Sequence, residues 1–211
     1  MKTLSSVFNT QADFSSFGLV ISSEIFSHDE VNLMNSDTQE LYHKDQKQWL
    51  MQVARGNASA LFFDLSDPTG RSKAIRKAVS YLGRRPEITE TLGANPTITA
   101  VQLRLTPANP VSYIPWHVDI ELHSEARVKA MVYLTNVHVN SGAFAYVPGS
   151  HRPDSPALWA PKNKSQMQGH CLLTGPPGTV IFFDPKGWHT MMANRSGVSR
   201  HALIVEFAET H

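Results

Sequence analysis

His117 and Asp119 in the run SYIPWHVDIELH, and His189 in DPKGWHTMM, are residues whose types and spacing could hold a redox metal. Two imidazoles and one carboxylate on one side of a divalent ion are what an Fe(II) centre needs if it is also to keep positions for O2 and a chelating co-substrate. Residues two apart share one face of an extended strand, so His117, Asp119, Glu121 and His123 would point one way and Trp116, Val118, Ile120 and Leu122 the other. A solvent-wetted edge strand reads the same way, so the pair alone does not decide. His189 follows a predicted strand ending at Asp184 and a turn through Pro185 and Gly187, far enough along the chain for several strands to intervene. Arg200 opens the last predicted strand, where an inward guanidinium can grip a carboxylate through two parallel hydrogen bonds.

The elements that must position these residues change character near residue 97. Before it the pattern is mostly helical. FGLVISSEIF reads as a short strand, and SHDE then supplies a capping box, with Ser27 at the N-cap and Glu30 three residues on. A helical region from about Asp29 to Ala54 follows, with room for a break near Asn35 to Asp37. Asp67 caps a second helix with Pro68 in its first turn, running to about Leu82, where GRRP stops it. From Thr97 onward the predicted strands are ITAVQLRL, YIPWHVDI, VKAMVYLTNV, AFAYVPG, HCLLT, TVIFFD, a piece around HTMMA, and RHALIVEFAE. So many short strands predict a closed or sandwiched β architecture, with the helices packed outside on one sheet. One domain over 1–211 is expected, with a helical support region over 1–96 and a β core over 97–208.

The chain has 211 residues, 41% hydrophobic and 18% charged, with a formal net charge of +1, which exerts no whole-molecule pull toward nucleic acid or an anionic membrane. No apolar run reaches the length of a membrane span, and MKTLSSVFNTQADF lacks the apolar core and small-residue cleavage site of a signal peptide. The lone cysteine, Cys171, cannot form an intramolecular disulfide, which fits a reducing compartment; in HCLLTG it reads as a small buried strand residue. A soluble cytoplasmic protein is expected. The densest basic run is Arg71, Lys73, Arg76, Lys77, Arg84 and Arg85. With only Tyr81 interleaved for base stacking, it reads as a solvated face and not as a nucleic-acid site.

IPWHVD, GAFAYVPGSH and PGTVIFFDPKGWHTMMANRSGVSRHALIVEF together resemble the phytanoyl-CoA hydroxylase-like Fe(II)/2-oxoglutarate dioxygenases, over roughly residues 97–208 and more weakly over 18–55. The resemblance implies a mainly β fold with flanking α-helices around a double-stranded β-helix (jelly-roll, cupin-like) core. It implies His117, Asp119 and His189 as ligands of Fe(II), Arg200 as the clamp on the far carboxylate of 2-oxoglutarate, and O2 as the oxidant. The implied reaction hydroxylates a small organic substrate while 2-oxoglutarate is decarboxylated to succinate and CO2. Arg195, in the NRSG turn, competes for the clamp, but a loop arginine just behind the ligand is expected to face solvent. The chain departs from the family at Met191, where members often carry a hydroxyl two positions after the distal histidine. Gln102, Tyr133, Thr135 and Thr190 are the candidates to supply the missing hydrogen bond.

Candidate substrate contacts are Glu121 and His123 at the rim, and Arg152 and Trp159 in the loop HRPDSPALWAPKNKSQMQ. His151 in PGSH is expected to fix its loop, and Trp116 and Trp188 to pack away from the metal. Two rival readings stand beside the dioxygenase. A cupin-like barrel that binds metal or ligand without turnover has no use for an inward Arg200. An oxygenase acting on protein or nucleic acid would need an open groove and a role for the basic helix.

Overall fold

In a computed structural model, which describes residues 11–109, 114–155 and 167–210, the first half of the chain forms five helices and two short strands. These are α1 (Gln11–Phe17), β1 (Leu19–Ser22), α2 (His28–Ala54), β2 (Phe63–Leu65), α3 (Pro68–Arg71), α4 (Lys73–Leu82) and α5 (Pro86–Leu92). The second half contributes β3 (Thr97–Thr106), β4 (Arg127–Tyr133), β5 (Phe144–Tyr146), β6 (Cys171–Leu173), β7 (Val180–Phe183), β8 (His189–Met191) and β9 (Arg200–Ala208).

Local chemistry explains where the helices start. The Ser27 hydroxyl accepts from the Glu30 amide while the Glu30 carboxylate accepts from the Ser27 amide, the reciprocal pair expected of SHDE. Asp67 accepts from the Gly70 amide ahead of Pro68. The helix expected over 67–82 is instead two, because Ser72 adopts an extended conformation (φ −130°, ψ 124°), ending α3 and capping α4 through the Ile75 amide. The room for a break in the first long helix is not used: α2 runs unbroken through Asn35 to Asp37. GRRP ends α4, but its proline then starts α5, since the first turn of a helix has no use for the missing N–H.

The strands form a six-stranded antiparallel sheet in the order β1-β7-β4-β9-β3-β2 and a three-stranded sheet in the order β6-β5-β8. Period-two alternation divides the six-stranded sheet between two cores. Leu103, Val128, Ala130, Val132, Leu203, Val205 and Phe207 face the helices, meeting the stripe Ile75, Ala78, Val79 and Leu82 of α4 and Val31 and Met34 of α2. Met131, Tyr133, Ile181, Phe183, Ala202 and Ile204 face the small sheet and meet Phe144 and Tyr146. The fold is the expected double-stranded β-helix with helices on one outer face. The strand expected over YIPWHVDI is corrected over its described residues, 114–120, which form no strand; Tyr113 lies outside the described residues. Beyond the isolated bridge His117↔His189 the chain bends and turns, held by Asp119 N–H donating to Pro185 O. Trp159 lies outside the described residues.

Candidate metal centre

The backbone brings the two histidines together directly: His117 and His189 exchange both N–H···O bonds, at 3.0 and 2.9 Å, and their rings lie 4.4 Å apart. Each ring is aimed from behind. His117 Nδ1 is 2.7 Å from Pro115 O, and His189 Nδ1 is 2.8 Å from Gly187 O. A carbonyl only accepts, so each Nδ1 carries a proton, and Nε2 is the nitrogen that each ring, when neutral, would offer to a metal. Both Nε2 atoms face Asp119, at 3.5 Å from Oδ1 for His117 and 3.1 Å from Oδ2 for His189. One ligand atom from each residue falls within 4.8 Å of the others, so the three could hold a metal ion.

Electrostatics favours that use at Asp119 and at His189, but not at His117. Burial raises the Asp119 carboxyl, but hydrogen bonds with both histidines and the charge of Lys129 outweigh it and hold the group far below the usual carboxylate range. Burial lowers His117, yet the contacts with Asp119 and the Pro115 carbonyl leave it above the ordinary histidine value. At His189, fully enclosed, burial wins and favours the neutral ring that a metal needs.

The centre opens into a cavity of about 260 Å³ whose walls include Gln102, Arg104, Lys129, Met131, Phe144, Phe183, Thr190, Met191, Arg200 and Ile204. Arg200 is 2% exposed. Its Nη1 donates to Gly142 O at 2.5 Å and its Nη2 lies 2.8 Å from Met191 Sδ, while its Nε has no hydrogen-bond partner among the described residues. No carboxylate among the described residues pairs with it, and burial pulls its pKa down to about 10.

The other expected residues divide sharply. Gln102 and Thr190 line the cavity, although the Thr190 hydroxyl donates to Ile114 O. The Tyr133 hydroxyl is already used, donating to Leu173 O and accepting from the Phe144 amide, and its ring lies 6.0 Å from the Arg200 guanidinium carbon. Thr135 Oγ1 accepts from the His201 amide away from the cavity walls. Glu121 and His123 are exposed in the turn after the bridge, because no strand carries them onto the ligand face. Arg152 is exposed and paired with Asp154. Arg195 is exposed in its loop, as expected. Trp116 packs on Ala145, Val147 and Met167 with Trp188 alongside, and His151 Nε2 lies 3.3 Å from Ser15 O, tying its loop to α1. Burial pushes the Cys171 thiol up to about 11, which disfavours the thiolate.

Sequence reasoning missed Lys129 and Arg104 as walls of the cavity. A signal was present for Lys129: a single charge in the apolar run VKAMVYL, repeated by Glu206 in ALIVEFA directly opposite on the neighbouring strand.

The fold is shared with solved structures. The structure of HygX from Streptomyces hygroscopicus with nickel and 2-oxoglutarate bound matches at a TM-score of 0.71 and 15% identity, covering 96% of this chain and 88% of that one. The α-ketoglutarate-dependent carbocyclase SnoK from nogalamycin biosynthesis matches at 0.70 and 17% identity, covering 99% and 87%. EctD from S. alaskensis with bound Fe matches at 0.66 and 20% identity, covering 94% and 75%. At these identities the likeness is one of fold. No curated protein matches the chain in sequence. The family model for phytanoyl-CoA dioxygenase (PhyH) matches residues 14–202, taking in the helical layer, both sheets, His117, Asp119, His189 and Arg200, and the chain belongs to that family.

Proposed function

We propose that the chain is a single-domain, non-haem Fe(II)/2-oxoglutarate-dependent dioxygenase that hydroxylates a small organic substrate. The observation that carries this reading is the buried guanidinium of Arg200, lacking a carboxylate partner among the described residues, in the cavity that holds the His117, Asp119 and His189 donors. When bound, iron with 2-oxoglutarate and O2 supplies the oxidising chemistry, with succinate and CO2 as the co-products. His117, Asp119 and His189 would hold the iron, each histidine through Nε2. Arg200 would neutralise the far carboxylate of 2-oxoglutarate, with its free Nε–H as a donor in hand. Met131, Phe144, Phe183 and Ile204 make the apolar wall that keeps water from the reacting groups. The metal and 2-oxoglutarate found in HygX, and the iron in EctD, support the same set here.

A barrel that binds metal without turnover leaves Arg200 unexplained, since a buried cation without an anion is costly. A nucleic-acid target gains little from the basic run. Arg71 is paired with Asp45, Lys77 with Glu30 and Arg85 with Glu87. No helix among the described residues is long and apolar enough to cross a membrane, and the lone thiol of Cys171 fits the cytoplasm. The reading is tested by iron-dependent release of CO2 from 2-oxoglutarate in the absence of a prime substrate. Wild type is expected to turn over slowly and Asp119→Ala at least about 100-fold more slowly, since even groups behind metal ligands cost 10–100-fold. Equal rates in the two proteins would contradict it.

A further inference from the structure

Lysine on the inward face of a sheet is unusual, because burying an ammonium costs free energy unless it is paired. Lys129 is in that position. Its side chain is 15% exposed, and its ammonium lies 2.8 Å from Asp119 Oδ2 and 3.1 Å from Glu206 Oε2. Glu206 is itself anchored, accepting from Arg127 Nη1 and from Thr99 Oγ1, each at 2.7 Å on Oε1. β4 and β9 place Lys129 and Glu206 directly opposite each other, so the ammonium sits at a fixed point beside the metal centre. It reaches the same Asp119 oxygen that faces His189 Nε2.

We propose that Lys129 is a positioning residue for the metal centre: its ammonium occupies one oxygen of Asp119, so the carboxylate offers a metal one oxygen and not two. The proposal rests on the reading of His117, Asp119 and His189 as the metal ligands. Carboxylates bind divalent ions through one oxygen or both. A second oxygen on the ion would fill a position that a 2-His-1-carboxylate centre must keep open. A charge-assisted hydrogen bond from a fixed ammonium withholds that oxygen, and Glu206 keeps the ammonium from swinging into the cavity. The arrangement gives up metal affinity, because a like charge stands beside the ion, in return for an open coordination position.

This gives the test a sign. Co(II) binding is measured by isothermal titration calorimetry in wild type, Lys129→Met, Lys129→Arg and Glu206→Gln, with circular dichroism to establish that each variant is folded. Lys129→Met is expected to bind Co(II) at least about tenfold more tightly, since it removes a nearby cation and frees the second oxygen. Lys129→Arg is expected to return affinity toward wild type. Glu206→Gln is expected to bind more weakly, because the ammonium then bears on Asp119 alone. A lysine that served only to hold the strands in place would give the opposite result for Lys129→Met, a misplaced Asp119 and weaker binding. Folded Lys129→Met with equal or weaker affinity than wild type overturns the proposal. Should that variant not fold, Glu206→Gln decides, and unchanged or tighter binding by it overturns the proposal. Wild type that binds no Co(II) removes the metal-centre reading and this proposal together, whereas a wild type that binds, with Lys129→Met unchanged, removes the role of Lys129 alone.

Discussion

At the scale of residues, identical chemical types in one short run end in different places. His117 and His123 share a face in the alternation of the sequence, but the chain leaves the extended conformation after the bridge to His189, and only His117 and Asp119 reach the centre. His123→Ala and Glu121→Ala are therefore expected to leave divalent-metal affinity within about twofold of wild type, whereas His189→Ala lowers it at least about 100-fold. Titration of Mn(II) followed by electron paramagnetic resonance reads both. The order HxD, distal histidine and arginine was legible because each member carries its chemistry in its type. Partners were not legible. That the Tyr133 hydroxyl is consumed by Leu173 and Phe144, and that Lys129 meets Asp119, depends on strand register, which the chain sets only on folding.

Elements were read best where long periodic patterns and side-chain caps coincide. The start of α2 at Ser27 and the strands β3, β4, β7 and β9 stand near their expected places. β2, α1 and α5 are short, and their apolar residues are too few to show a period; tertiary contact with β3 and with the helical core stabilises them. Ser72 is the joint between α3 and α4, and its hydroxyl also donates to Asp37 on α2 at 2.5 Å. Ser72→Ala is expected to cost about 2 kcal/mol, one part for the lost cap and one for the buried bond, measured by urea denaturation. His201 joins α2 to β9 through Asn35, 2.7 Å away, and burial holds its pKa down to about 4. Between pH 6.5 and 4 the unfolded chain binds a proton there that the folded chain refuses. This contribution is intact above pH 6.5 and is lost as pH falls toward 4, to an extent of about 3 kcal/mol. In metal-free protein, the loss of stability between pH 7 and 4.5 is expected to be smaller in His201→Gln than in wild type.

For the whole molecule, the helices and one face of the six-stranded sheet share a core. Phe207 of β9 is fully buried in the cluster that also contains Ile75, Leu82 and Ile88. Helical layer and β core are therefore expected to unfold together, with far-ultraviolet circular dichroism and tryptophan fluorescence giving coincident urea transitions, and Phe207→Ala shifting both by about 3–5 kcal/mol. Two separated transitions would divide the chain into two units. The fold class was legible from the change of texture near residue 97, and the substrate was not, because specificity depends on loops whose sequences carry no period. What unites the scales is the proposal that His117, Asp119 and His189 would hold a metal and that Arg200 would grip the far carboxylate of 2-oxoglutarate. Anaerobic titration of Fe(II)-loaded protein with 2-oxoglutarate, followed by the visible metal-to-ligand charge-transfer band, examines that arrangement in wild type and in Arg200→Ala. The band is expected in wild type, and the substitution is expected to weaken 2-oxoglutarate binding about 30-fold or more, the cost of removing one partner of a buried charge pair. Fe(II) binding by wild type with no band at saturating 2-oxoglutarate would contradict the dioxygenase reading and leave a metal-binding barrel.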